Sequence, residues 1–400
     1  MPERYDVVVV GGGPAGLSAA KAAASEGGKV LLLEMQSQIG GQTRSAAWVP
    51  YDVAKSFEGA VVEEVHELTL SSPRRQLKME GDFGVILDRR IFDKLLALEA
   101  VTSGADIWVS CPVKELMLDG DVVKGVYAEA GAWAERIESE VVIDASGSQG
   151  QWSSLLLRKV LKQEWGSERL SMGSEYLMAN ASASGVEIYF TSYFAPLGHA
   201  WIYPFGERFA MVGIRGIRIH PDAALDEFIG RRSVPSLKRA VPIAAFRGQL
   251  PIEGALPQTC ADGIIAVGSA AGQVYPFSGE GLRYALLCGE IAGKVAVDAI
   301  AEGDVSRQAL SEYERLWRAK LEAGLNAGQL LYDALRTSFD RKMDGLLDAM
   351  MGDVQLQRSF VDIFLGINLE ASLRLWSKKE ELLQIFGNDV IAKALAPYES

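Results

Sequence analysis

The chain has 400 residues, 48% hydrophobic and 23% charged, with 52 acidic against 40 basic side chains and a net charge of −12 at pH 7. Such a length holds two or three domains, and the apolar share is that of a soluble globular protein. The acidic balance argues against a sequence-independent nucleic-acid binder, which needs a basic face, and against general adhesion to anionic membranes.

Cys111, Cys260 and Cys288 are widely spaced and show no metal-ligand pattern, so no metal site is expected and the thiols read as buried and reduced. No apolar run reaches the roughly 18 residues of a membrane-spanning helix. Met1 to Asp6 leads straight into a strand and leaves no room for a signal peptide. The expectation is a cytoplasmic protein.

Tyr5 to Val10 is a short β-branched run, the pattern of a buried parallel strand. It breaks into Gly11-Gly12-Gly13-Pro14-Ala15-Gly16 and then into the helix-favouring, Ala-rich Leu17 to Ala24. A second strand, Lys29 to Leu33, ends on Glu34. This is the first βαβ unit of a dinucleotide-binding domain. Gly11 allows the turn, Gly13 lets a pyrophosphate approach the backbone, and Gly16 lets helix and strand pack closely. The helix N-terminus favours the diphosphate, and Glu34 has the spacing to accept from ribose hydroxyls. A lone glycine turn would say little, but here every flanking element is present.

Ile39 to Ser45 forms a polar, Gly-rich loop of the kind found at strand carboxyl ends, where ligands bind. Arg44 in it faces a phosphate or substrate, or is an ordinary solvated arginine. Residues 60–87 alternate as strands, and Asp88 is placed to cap a helix running to about Gly104. A strand at 106–110 follows, then a meander over 116–138 and a separate buried strand at 140–143 leading into Asp144-Ala145-Ser146-Gly147. Residues 165–255 are strand-like and aromatic-rich, the features of an inserted sheet; such a sheet is either plain core or the wall of an apolar pocket.

Gly263 to Val267 resumes the first domain and enters a second glycine-rich turn at Gly268-Ser269. Tyr275-Pro276-Phe277-Ser278-Gly279-Glu280-Gly281 then opens a helix from Leu282 to about Glu302. The last hundred residues read as helices, with Tyr313, Trp317, Leu321, Leu325, Leu331 and Leu335 on one face and Gly324 and Gly328 suited to close packing. Phe360 to Ile367 is the most apolar stretch there, either a core helix or a segment that meets a lipid surface.

The start motif, Asp88-Arg89, the Ser146-Gly147 segment and the Gly268 turn together resemble the FAD-containing hydroxylase-like superfamily. Within it the chain is most similar to the geranylgeranyl reductase family. The carrying residues are Pro196 to Pro204, which hold Trp201, Tyr203 and Pro204, then Val212-Gly213-Ile214-Arg215, and Pro276-Phe277-Ser278-Gly279-Glu280-Gly281. The resemblance implies an α/β fold: a Rossmann-type FAD-binding domain with an inserted antiparallel sheet and a C-terminal helical region. The divisions expected are 1–165 with 256–305 for FAD, with strands near 60–87 lent to the substrate sheet, then 166–255 for that sheet and 306–400 for the helices.

It also implies FAD with its diphosphate on Gly11, Gly13, Pro14, Ala15 and Gly16 and its ribose on Glu34. Arg44, Arg89, Gly147, Gly268 and Ser269 would surround the ribityl-diphosphate, and Pro276, Gly279, Glu280, Gly281 and Leu282 the ring. The helix beginning there would favour negative charge on reduced flavin. His199, Trp201 and Tyr203 would line the substrate pocket. The implied activity is reduction of C=C bonds in an isoprenoid or lipid-like apolar substrate by hydride from reduced flavin. NAD(P)H, ferredoxin or a quinol is the electron source, the second requiring a redox partner protein, and any membrane contact would be peripheral.

Four positions depart from the family pattern. Ser269 and Ser146 stand where Asp is usual, Ser45-Ala46-Ala47 where the reductases have Cys-Gly-Glu-Gly, and His199 where Tyr is usual. Two other readings stay open: a flavin-dependent monooxygenase or halogenase acting on a small aromatic compound, and a flavin- and lipid-binding protein without turnover.

Overall fold

The computed structural model describes residues 4–41, 47–130, 133–149, 154–166, 168, 170–230 and 234–399. At its centre is a parallel arrangement in the order Ile264–Ala266, Trp133–Asp144, Arg4–Val10, Val30–Leu33, Asp106–Trp108. Val8 lies opposite Val142 on one side and Leu31 on the other. All three are fully buried, because helices or loops cover both faces of such a sheet.

Where the sequence suggests two strands over 132–143, the chain forms one, Trp133–Asp144. Its first half pairs antiparallel with Val122–Ala130 and its second half parallel with Arg4–Val10. The strand stays continuous while its neighbour changes. Local alternation cannot register that event.

A second, seven-stranded sheet runs Val241–Pro251, Leu170–Ala179, Phe209–Ile217, His199–Pro204, Val186–Tyr189, Glu67–Ser71, Gln76–Glu80. The early strands Glu67–Ser71 and Gln76–Glu80 are thus the far end of a sheet whose other members begin only at Leu170. A helix not foreseen in the sequence, Pro221–Gly230, packs behind this sheet through Leu225 and Phe228. Three short strands, Ala47–Val49, Val85–Leu87 and Val61–Glu64, form a third sheet of their own.

The helices follow their patterns. Asp88 caps Arg89–Thr102 by accepting from the Arg90 N–H at 2.8 Å. Tyr313, Trp317, Leu321, Leu325 and Leu331 form the buried stripe of Arg307–Ala334. Gly328 on that helix lies against the Tyr275 ring and leaves no room for a side chain. Val354–Phe364 carries the apolar stretch, with Phe360, Val361, Ile363 and Phe364 buried rather than presented to solvent. Among the described residues no helix is long and apolar enough to cross a membrane.

The helix Leu282–Glu302 crosses Pro14–Ser25 at close range, with Gly289 against the Ala15 carbonyl. This crossing brings the two helix N-termini to one place. Replacing Gly289 by Val would force a branched side chain into rigid backbone. The expected loss is roughly 1–3 kcal/mol, the usual cost of overpacking, measured as a lower urea midpoint with an unchanged m-value.

Candidate active site

The first wall is made by backbone. Pro14–Ser25 starts from Gly13, no side chain caps it, and Pro14 at its first position gives up no useful donor. Gly11 turns there with φ +110, where a Cβ would run into the Ala145 carbonyl, whereas a Cβ on Gly13 would meet nothing within 4 Å. Helix N–H groups therefore face open space. Beside them Glu34 accepts from the N–H groups of Gly12 and Gln36, both at 2.7 Å.

The next strand ends in buried Asp144, which accepts from the N–H of Leu156 at 2.9 Å and from Ser146, both its N–H and its hydroxyl. Burial pushes this carboxyl up, against those donors. Arg89 grips Asp93 through two bonds of 3.0 and 3.1 Å. Burial raises the Asp93 carboxyl and the guanidinium opposes it.

The second helix N-terminus follows Gly279-Glu280-Gly281. Gly281 offers no capping side chain, and Glu280 reaches round to accept from the Arg283 N–H at 3.0 Å. Its other oxygen, Oε2, is buried without a partner. Burial lifts this carboxyl too.

The floor is the seven-stranded sheet. Glu175 lies across from Gly213, and Gly213 across from Trp201. A Cβ on Gly213 would collide with the indole. With none there, Trp201 lies over the strand and donates Nε1–H to Glu175 Oε1 at 2.7 Å. Glu175 is 1% exposed. One row further along, Arg215 sits between Gly173 and His199.

Burial, then the charge of Arg215, holds the His199 imidazole well below its ordinary range, so it is neutral. Burial, then the Glu175 carboxylate, pushes the Tyr203 phenol upward. The opposite side is apolar. Trp48, anchored by Nε1–H to the Phe83 carbonyl at 2.8 Å, meets Tyr203 at 6.4 Å and Phe364 at 5.8 Å between ring centres. Phe364 also packs on His199 at 5.3 Å. A cavity of about 460 Å³ is enclosed by these walls, from Gly11, Gly13 and Glu34 to Arg215, Gly279 and Phe364.

Comparison with known proteins gives this geometry its family. Residues 6–151 match the model of the FAD dependent oxidoreductase family. The chain is 33% identical over 396 residues to the digeranylgeranylglycerophospholipid reductase of Methanocaldococcus jannaschii, covering 96% of this chain and 97% of that one. The chain belongs to the geranylgeranyl reductase family.

A solved geranylgeranyl bacteriochlorophyll reductase-like protein of Thermoplasma acidophilum superposes with a TM-score of 0.83 at 27% identity, covering 96% of this chain and 98% of that one. The flavin-dependent brominase Bmp2 superposes with a TM-score of 0.73 at 16% identity, covering 99% of each chain, a likeness of fold alone. This geranylgeranyl reductase-like protein is an FAD-dependent oxidoreductase, and its residues fit that cofactor. No side chain caps the helix at Gly13, which leaves its N–H groups available to a diphosphate, and Glu280 has a buried oxygen without a partner.

Of the residues singled out in the reductase sequence, Gly11, Gly13, Pro14, Glu34, Arg89, Gly147, Ser269, Gly279, Glu280, Gly281, Leu282, His199, Trp201 and Tyr203 all line the cavity. Ala15, Gly16, Gly268 and Pro276 lie just behind it. Gly16 packs on Gly11, and Gly268 on Ala15, while Pro276 is buried in the turn. Arg44 is outside the described residues. Sequence reasoning gave no site role to Trp48, Glu175, Arg215 or Phe364. The alternation Ser171, Gly173, Glu175 on one strand face was the available signal for the second of these.

His199 makes an acid-sensitive contribution to stability. Its folded pKa lies below the unfolded value of 6.5, so only the unfolded chain takes up the proton as pH falls through that value. The stability is complete above it and is lost below it. From pH 8 to about 5.5 the wild type should lose about 1.4 kcal/mol relative to His199→Gln, measured by urea unfolding at the two pH values.

Proposed function

We propose that this enzyme reduces carbon–carbon double bonds in the isoprenoid chains of a lipid, the class named by its digeranylgeranylglycerophospholipid reductase relatives. The observation that carries the reading is an aromatic hollow continuous with the FAD cavity and floored by a buried carboxyl group. Trp48, Trp201, Tyr203 and Phe364 present ring faces and edges to whatever enters. An unsaturated hydrocarbon chain gains by leaving water for such a wall, and a phosphate or sugar does not.

In this reading Gly11, Gly13 and the N-terminus of Pro14–Ser25 hold the diphosphate, and Glu34 holds the ribose. Arg89, Gly147 and Ser269 flank the linker, and the Gly279–Leu282 turn meets the ring. Bound and reduced, FAD supplies a hydride. Addition across a double bond then needs one proton at the other carbon. Glu175 is placed to give it: His199 is held neutral and the Tyr203 phenol is pushed up, so neither is a ready acid. The Trp201 N–H holds the carboxyl in place through Oε1. The phenylalanine and tryptophan walls keep water from competing.

The test is anaerobic. Holoenzyme reduced with dithionite and mixed with a geranylgeranylated glycerophospholipid should be reoxidised without oxygen, giving product heavier by two hydrogens per bond. Glu175→Gln should keep its FAD and its reduction by dithionite but slow that reoxidation about 10²–10⁴-fold, with Glu175→Asp recovering part. Reoxidation by oxygen alone would sink the reading.

A further inference from the structure

Arg215 is 5% exposed and carries a guanidinium that the protein itself does not neutralise. One terminal nitrogen donates to the Phe277 carbonyl at 3.1 Å and the other reaches the Ser171 hydroxyl at 3.4 Å. Nε has no partner. Among the described residues no carboxylate forms an ion pair with it. Such a charge is costly to bury alone, because its few neutral hydrogen bonds do not replace its hydration.

The groups around it confirm the deficit. Glu175, a diagonal neighbour on the adjoining strand, accepts from Trp201. His199 beside it is neutral, and the Tyr332 hydroxyl donates to the Leu197 carbonyl at 3.1 Å. Glu280 follows the turn that Arg215 touches, but burial favours its uncharged form. The guanidinium lies against Gly279 itself: a Cβ there would stand 3.1 Å from Nε and 3.2 Å from Cζ. Three residues on, the helix Leu282–Glu302 begins with its N–H groups and positive end toward the same cavity.

We propose that the Arg215 guanidinium is a side-chain cation for the ring of FAD, adding to the helix N-terminus already expected there and favouring the reduced ring over the oxidised one. The placement follows from the length of the cofactor. Its diphosphate belongs on the N-terminus of Pro14–Ser25 and its adenosine toward Glu34, both at one end of the cavity. The ring end of an extended molecule would then reach toward the other, near Gly279 and Arg215. A cation fixed beside the ring would disfavour a second protonation, so reduction of bound FAD would take up one proton per two electrons.

The inference rests on FAD binding and not on the identity of the substrate, so either can fail alone. A lipid phosphate would satisfy the same guanidinium, and the measurement is therefore made without lipid. Anaerobic redox titration of holoenzyme is run on the wild type, Arg215→Gln and Arg215→Lys. Arg215→Gln should weaken reduced FAD relative to oxidised FAD by tenfold or more, a drop of about 30 mV for each factor of ten in a two-electron couple. Arg215→Lys should keep most of the wild-type potential.

The wild type alone gives a second readout, needed where the variant does not fold. Its potential should fall with one proton per two electrons, about 30 mV per pH unit between about pH 6 and 8. Equal potentials for wild type and Arg215→Gln would overturn the proposal, as would two protons per two electrons over that range. A variant that keeps its potential but loses affinity for vesicles of geranylgeranylated phospholipid would assign Arg215 to the lipid phosphate instead.

Discussion

Backbone N–H groups at the start of a helix have no partner within the helix, and in this protein two such ends open on the same cavity. The first is left without a capping side chain, at a turn where glycine admits a ligand. The second is capped only through Glu280, one residue before its own N-cap. A folded protein rarely leaves such donors idle in its interior. Their convergence depends on the close crossing of Pro14–Ser25 and Leu282–Glu302. The rest of the chain encloses the cavity on which both of them open.

The inserted sheet supplies what backbone dipoles cannot. Its inward face is not uniformly greasy: it alternates missing side chains with long ones. Gly213 makes room for the Trp201 indole, which reaches across to Glu175, and Gly173 makes room beside Arg215. A carboxyl group and a guanidinium are thereby kept dry, on one surface, without forming an ion pair with each other. Each is more potent there than in water, because the low dielectric strengthens its interaction with any charge that develops nearby. The aromatic roof from Trp48 and Phe364 keeps the dielectric low.

How much of this the sequence discloses depends on how far apart the cooperating residues are. The first βαβ unit is legible because strand, turn, helix and terminal acid all fall between Tyr5 and Glu34. The turn at Gly279–Gly281 is legible for the same local reason, and Trp201 through the motif around it. Phe364 is not. Its stretch reads as an apolar helix that could equally be core or lipid-facing, and only tertiary packing turns it onto His199 and Trp48. Glu175 and Arg215 are alternating members of ordinary-looking strands, and their importance lies in what faces them across two registers. Continuity of the strand Trp133–Asp144 is hidden likewise, since it depends on an exchange of partners.

The two serines that replace expected aspartates have a structural account of the same kind. At Ser146 the hydroxyl donates to buried Asp144 and accepts from the Ser154 N–H at 2.9 Å. A carboxylate is still present in this segment, two residues earlier, but it is spent on holding the loop, through the N–H groups of Ser146 and Leu156. At Ser269 the turn is held from behind. The Gly268 N–H donates to Gln273 Oε1 at 2.8 Å, and Gln273 bonds in turn to Tyr313 on the helix Arg307–Ala334. A charged side chain at 269 is not required to fix the turn's shape, because a buried amide and phenol already do so. The C-terminal helices thus shape the cofactor side of the cavity through Tyr313 and its apolar side through Phe364, which ties the last hundred residues to the same site as the first forty.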